Sequence, residues 1–375
     1  MLPKLKVQAG AVIALRLFDI AYSIDLQLVE DLCSQGSGRS TSRSRLSSTP
    51  PKALTFDVPP VLLTMTPVML EFAGVSHQAS VSARLYDFGV VALSVRTPAM
   101  DLSWEEYSTL CEAVDQSIGP NALGGGPWQN LLQQIRNSLT PAMTRPNAST
   151  LEEDHLVAIV QKWDRPVVGA ELPKLIDLVP ILSGENRPLS EKARRDLLKQ
   201  RFSYYEDDLV VLTWDRAFIY EPRSDSDVSD ILEVANAQLL EFRYYDELLD
   251  DELPRMYELV KQARRATNLL APRRFADLAR KLYTLVAEVT ELTEKADNVL
   301  QVTEDVYLAR IYLTALEIFR VPTVSAAVDR KLSIVRDTYA ALYAEASGSR
   351  GELLEVAIVV LIVIEIAIAL LHHTA

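Results

Sequence analysis

A chain of 375 residues has room for two folded units, and its 49% apolar and 24% charged content is that of an ordinary globular protein, so disorder is a local question. The formal net charge of -13 disfavours general nucleic-acid binding, because phosphates recruit basic surfaces. Two cysteines, Cys33 and Cys111, exclude a disulfide framework or a complete tetrahedral thiolate site, and the four histidines have no HExxH-type spacing, so no metal or other cofactor is expected.

In chain order, Lys4 and Lys6 precede a short apolar run that Arg16 and Asp19 interrupt, too short for an export signal; Val12–Leu17 reads as a strand. Residues 34–50 are rich in serine and carry Arg39, Arg43 and Arg45, the composition of a flexible surface loop. The β-branched stretches VLLTMTPVML and SARLYDFGVVALSVR predict strands, with Gly89 marking a bulge or a close backbone approach. Trp104–Ile118 has helical spacing, whereas Gly124–Gly126 lack the ending of a phosphate-cradling loop. DHLVAIVQKWDRP and DDLVVLTWDRAF each place Trp-Asp-Arg after an apolar strand, either a weak internal repeat or a chance sharing of strand-end chemistry, in which Trp packs while Asp and Arg pair or cap. Helices are expected around Leu172–Leu182 and Leu189–Arg201.

At Asp227 the texture changes. Asp227 and Asp230 read as a helix start, and the apolar spacing stays near-helical to Ala346, with breaks at Pro272 and Pro322 and a kink at Pro254. Lys261, Arg264, Arg265, Arg273, Arg274, Arg280 and Lys281 form a basic cluster with the chemistry to touch anionic lipid or RNA, or to sit as a solvated bend. Just upstream lies the opposite cluster, Asp246, Glu247, Asp250, Asp251 and Glu252, a candidate to pair with it. Val356–Leu371 is apolar all round; with Leu353 and Leu354 it forms a helix of ~28 Å at 1.5 Å per residue, close to the ~30 Å hydrocarbon core. Arg330, Lys331, Arg336 and Arg350 precede it and no Lys or Arg follows, which puts the body on the cytoplasmic side. Within this run Glu365 is a candidate oligomer contact, with Glu355 near one interface.

Leu354-Glu355, the Ile/Val run and Leu361-Ile362-Val363-Ile364-Glu365 resemble the C-terminus of the sporulation and required-for-meiotic-nuclear-division (Rmd) family, although Val356 stands where that family has Trp. Tyr86-Asp87-Phe88-Gly89-Val90-Val91, Asp208–Trp214 and Leu239–Leu249 are similar to its strands and first long helix. The resemblance implies membrane attachment, homo-oligomers and a translation-related partner, or a link to meiosis and sporulation in fungi, and supplies no catalytic residues.

The fold class expected is α+β. A mixed α+β domain spans 1–222, with the flexible loop at 34–50. A long antiparallel, coiled-coil-like helical arm spans 223–350, and a membrane helix with a short tail spans 351–375. The function expected is a non-catalytic, membrane-tethered, self-associating scaffold that holds an unknown protein partner, with no specific DNA binding. The alternative is a membrane-anchored hydrolase or transferase whose acid–base groups are His155, Asp164 and Asp215, although no motif unites them.

Overall fold

The first expected strand is longer than its apolar core: β1 spans Lys6–Asp19 and hydrogen-bonds along both edges. The chain continues through β2 (Ala21–Ile24) and α1 (Leu26–Gln35), then the short strands β3 (Thr41–Arg43) and β4 (Leu54–Thr55). β5 (Val61–Phe72), β6 (Val75–Leu85) and β7 (Val90–Ser103) form an antiparallel meander. Two helices follow, α2 (Trp104–Ile118) and α3 (Trp128–Leu139), and after them β8 (Met143–Pro146) and β9 (Glu152–Trp163). Three short helices, α4 (Leu172–Leu175), α5 (Val179–Ser183) and α6 (Glu191–Leu197), lead to β10 (Arg201–Phe202), β11 (Leu209–Leu212) and β12 (Arg216–Tyr220). Two long helices, α7 (Val228–Arg265) and α8 (Ala271–Asp297), precede β13 (Gln301–Val302), α9 (Val306–Ile318) and α10 (Val321–Ala341). This computed structural model describes residues 5–341 except 36–40, 44–53, 56–57, 73, 123–125, 148, 150, 186, 224–226, 266–270, 298–300 and 303–304. The protein is therefore mixed α+β, an N-terminal sheet domain with C-terminal helices.

The main sheet has nine strands in the order β10-β11-β12-β9-β1-β7-β6-β5-β3, and β12 alongside β9 is its parallel pair. Side chains alternate between its faces. One face carries Val12, Ala14, Val81, Leu93, Leu156 and Phe218, and is sealed by apolar side chains from α1 through α5. The other carries Leu15, Leu17, His155, Val157, Ala217 and Ile219, all buried. The N-terminal part of α7 and α9 lie on this second face: Arg243 pairs with Glu153, and Phe319 sets its ring edge-on to His155 at 5.5 Å. Tyr312 of α9 donates to Gln238 of α7 at 2.8 Å.

Local chemistry explains the boundaries. Ser103 caps α2 in a reciprocal box with Glu106, and Asp305 caps α9 by accepting from the Tyr307 and Leu308 amides. Pro272 and Pro322 fall in the first turns of α8 and α10, where a missing amide costs nothing, and Pro254 is accommodated inside α7.

The chain divides into two compact units. The first is residues 1–244 with 294–324, so α9, which the sequence places in the arm, belongs to the sheet. The second is residues 245–293 with 325–375. Within it Tyr283 meets Tyr339 and Thr290 meets Arg336, so α8 and α10 run in opposite directions. Asp246 and Asp250 pair with Lys331 rather than with the basic cluster around Pro272. Among the described residues no single helix is long and apolar enough to cross a membrane; α9 and α10 reach that composition only as a bent pair. The apolar run Val356–Leu371 lies outside the described residues.

Gly89 makes the turn between β6 and β7 possible. Its φ is +97°, and an added Cβ would sit 1.8 Å from the Ala21 carbonyl oxygen. Gly74, in the preceding turn, also has positive φ, at +79°, but an added Cβ meets nothing within 4 Å. Gly89→Ala is therefore expected to destabilise the protein by roughly 2–5 kcal/mol, against roughly 1–2 for Gly74→Ala, in urea unfolding. Equal losses would refute the close-approach account.

Candidate functional site

Of the acid–base candidates, Asp215 lies beside the His155 end of β9, its carbonyl accepting from the Leu156 amide at 2.9 Å, while Asp164 is remote. Asp164 accepts from the Lys6 amide at one end of β9, while His155 lies nine positions away, roughly 30 Å along an extended strand. Asp215 is salt-bridged to Arg216. His155 is fully buried, and neither imidazole nitrogen has a partner among the described residues. Burial, with the Arg216 charge adding to it, pushes its pKa down to about 3, so it is neutral packing against Phe319. The two Trp-Asp-Arg motifs do different work. Trp163 ends β9 inside the core against Trp104 and Tyr220, whereas Trp214-Asp215 is the hairpin turn between β11 and β12.

Of the basic cluster, Lys261 pairs with Glu258 on its own helix and Arg280 and Lys281 are exposed. The side chains of Arg264, Arg265, Arg273 and Arg274 lie outside the described part, as do Glu355 and Glu365 altogether.

The densest buried chemistry joins α2, β1, β9 and β12. Arg216, 3% exposed, donates to Asp115 at 2.8 Å and to Asp215. Asp115 also accepts from the backbone and side-chain nitrogens of Asn121, both at 3.1 Å, and Asn121 reaches the Gly184 carbonyl at 3.0 Å. Beside it Arg16 pairs with Glu152 and Asp154, both at 3.3 Å, donates to the Gly119 carbonyl and lies over the Trp128 ring. Burial opposes the Arg216 charge, but Asp215 and Asp115 outweigh it and hold its pKa up. Each charge meets its complement, so the network fastens the end of α2 to the sheet. It lines a cavity of about 110 Å³, too small for most metabolites.

The more exposed chemistry lies along α9. Val306, Arg310, Leu313 and Glu317 recur at helical spacing on its outer side over about 16 Å. Val306 is 82% and Leu313 60% exposed. Around them Tyr204 packs on Tyr205 and Tyr307, and Trp214 on Phe319. Three guanidinium groups lie over aromatic rings: Arg223 on Tyr205 at 4.4 Å, Arg310 on Phe202 at 5.7 Å and Arg320 on Trp214 at 5.6 Å. Among the described residues none of the three makes an ion pair. Exposed Trp, Tyr and Arg with apolar neighbours is the composition of binding hot spots rather than of solvated surface. Sequence reasoning missed this patch because its members come from four separate segments, and of them only Trp214 was singled out, within its Trp-Asp-Arg motif.

The family whose model matches is described as "Uncharacterized protein MJ0711, N-terminal domain", over residues 9–227. The chain belongs to this family. The uncharacterized protein MJ0711 of Methanocaldococcus jannaschii is 27% identical over 241 residues, which cover 64% of this chain and 73% of that protein. No solved structure matches. The resemblance to the sporulation and meiotic-nuclear-division family is thereby overturned, and with it the translation and meiosis links it implied. Apolar runs holding an occasional Glu arise in unrelated chains, and Tyr86–Val91 is a hairpin whose Gly is set by sterics. The family domain stops one residue short of α7, so it comprises the sheet and its first helical layer.

Two buried groups of this unit titrate in opposition. Asp19, 1% exposed, accepts from Asn147, but burial raises its pKa to about 7. Between the ordinary carboxylate value near 4 and about 7, the folded state holds a proton that the unfolded state has lost, so Asp19 makes stability fall as pH rises. His155 does the reverse between about 3 and 6.5. Where the windows overlap, the two slopes, each up to about 1.4 kcal/mol per pH unit, offset one another. Relative to the parent protein, Asp19→Asn is expected to gain stability as pH rises from 4.5 to 6.5, and His155→Leu to lose it, in urea unfolding across that range. Parallel curves for all three proteins would show that neither group is perturbed.

Proposed function

We propose that this protein is a membrane-tethered, self-associating scaffold without catalysis of its own, which holds a protein partner against the outer face of α9. The observation that carries this reading is the aromatic and arginine patch around Val306, Arg310 and Leu313, whose guanidinium groups are held by rings rather than by acids. Such groups keep their charge available and lose little side-chain freedom on docking. The lack of convergence among His155, Asp164 and Asp215 is in keeping with a binding role. The apolar run Val356–Leu371 supplies the tether, with the body on the cytoplasmic side, Glu355 and Glu365 within or beside the membrane helix, and the basic cluster from Lys261 to Lys281 available to anionic headgroups.

Crosslinking in native membranes tests the docking face. Leu313→Asp combined with Trp214→Ala is expected to remove the crosslinked species while circular dichroism stays unchanged. Species that persist undiminished would remove α9 as the docking face. Deleting Val356–Leu371 is expected to move the protein into the soluble fraction. Retention after a carbonate wash would sink the tether.

A further inference from the structure

Beside the start of α7, the second face of the sheet over β5, β6 and β7 carries hydroxyls among apolar side chains such as Ile13, Leu15 and Leu62. Cross-strand pairing sets Thr64 beside Ser82, Ser82 beside Ser94, and Ser80 beside Arg96. Directly opposed side chains of this kind stand about 5 Å apart. The first turns of α7 wall one side with Ser229, Asp230 and Glu233, enclosing about 330 Å³, the size of a small-metabolite site.

The two arginines of this groove are in opposite states. Arg84 is charge-paired, with Asp230 at 2.9 Å and Glu233 at 3.1 Å. Arg96 lies four positions further along the ladder, ~13 Å away, and among the described residues no carboxylate or hydrogen-bond acceptor meets its guanidinium. Burial lowers its pKa, countered in part by the Tyr107 phenol. The hydroxyls of Thr64, Ser80, Ser82 and Ser94 are likewise without protein partners among the described residues. A half-buried guanidinium is costly to leave unpaired, and it is ringed by donors that suit tetrahedral oxygens. The acids at the far end are paired with Arg84.

We propose that the groove over β5, β6 and β7 is a binding site for a small molecule bearing a phosphoryl group, held by the Arg96 fork and by the hydroxyls of Ser80, Ser82 and Ser94. The far end, with Asp230 and Ser229, takes the hydroxyl groups of the ligand's body. This site is separate from the α9 face and does not depend on the scaffold reading.

The test uses the full chain in detergent, with inorganic phosphate and phenyl phosphate as probes, acetate as the carboxylate comparison, and thermal shift and calorimetry as readouts. Phosphate and phenyl phosphate are expected to bind saturably. Arg96→Gln is expected to weaken both about tenfold or more, with Arg96→Lys intermediate. Ser82→Ala with Ser94→Ala should give a similar loss, and the exposed Arg187→Gln should have no effect. Circular dichroism and the unliganded melting temperature establish that each variant folds. No saturable phosphate binding, unchanged binding by a folded Arg96→Gln, or acetate competing as strongly as phosphate overturns the assignment.

Discussion

The architecture depends on one constraint: β1 is bonded on both edges, to β7 and to β9, and is apolar on both faces. A strand so placed cannot present either face to water, so the sheet needs a helical layer on each side. The first layer comes from nearby segments, α1 through α5. The second comes from far down the chain, from α7 and α9. This layer covers β9, β12 and the centre of the sheet and reaches the meander at Arg84 and Tyr86. Where the cover thins, Ser, Thr and Arg join the apolar side chains of the same face. The groove is the margin of the second layer.

Charge inside this unit falls into two kinds. Arg16, Arg84 and Arg216 are each paired with two carboxylates, the condition under which a buried charge is tolerated at all. Such networks add little net stability but penalise misregistered packing, because a slip would strand several ions at once. Among the described residues Arg96, Arg223, Arg310 and Arg320 have no carboxylate partner. The difference separates groups that fix the fold from groups free to engage something else.

Much of the scaffold was legible in the sequence. Trp104–Ile118 is a helix with those very ends, because Ser103 and Glu106 write its start and an apolar stripe its length. Gly89 marks the close approach, and Asp227 the start of α7. The pairing of strands was not legible: nothing local tells β9 to lie between β1 and β12, or β12 to run parallel to it. Nor was the role of α9, whose Leu308, Ile311 and Ala315 read as one more amphipathic helix but pack within the sheet unit. The candidate patches were least legible. Arg96 looks like any solvent-facing strand residue until its lack of an acid partner is seen, and the rings around Arg310 and Arg320 meet only through tertiary structure.

The late arrival of α9 has a consequence for biosynthesis. His155 and Ile219 are in place on the second face long before Phe319 leaves the ribosome. At 5–20 residues per second, the apolar half of that face waits on the order of ten seconds for its cover. The parallel β9–β12 pairing is itself slow to form, since its strands are joined by a long excursion through three short helices. During that interval the nascent sheet exposes a sticky surface with no native occupant. A chaperone that masks it, or a pause that lets α7 settle first, would decide between productive folding and aggregation.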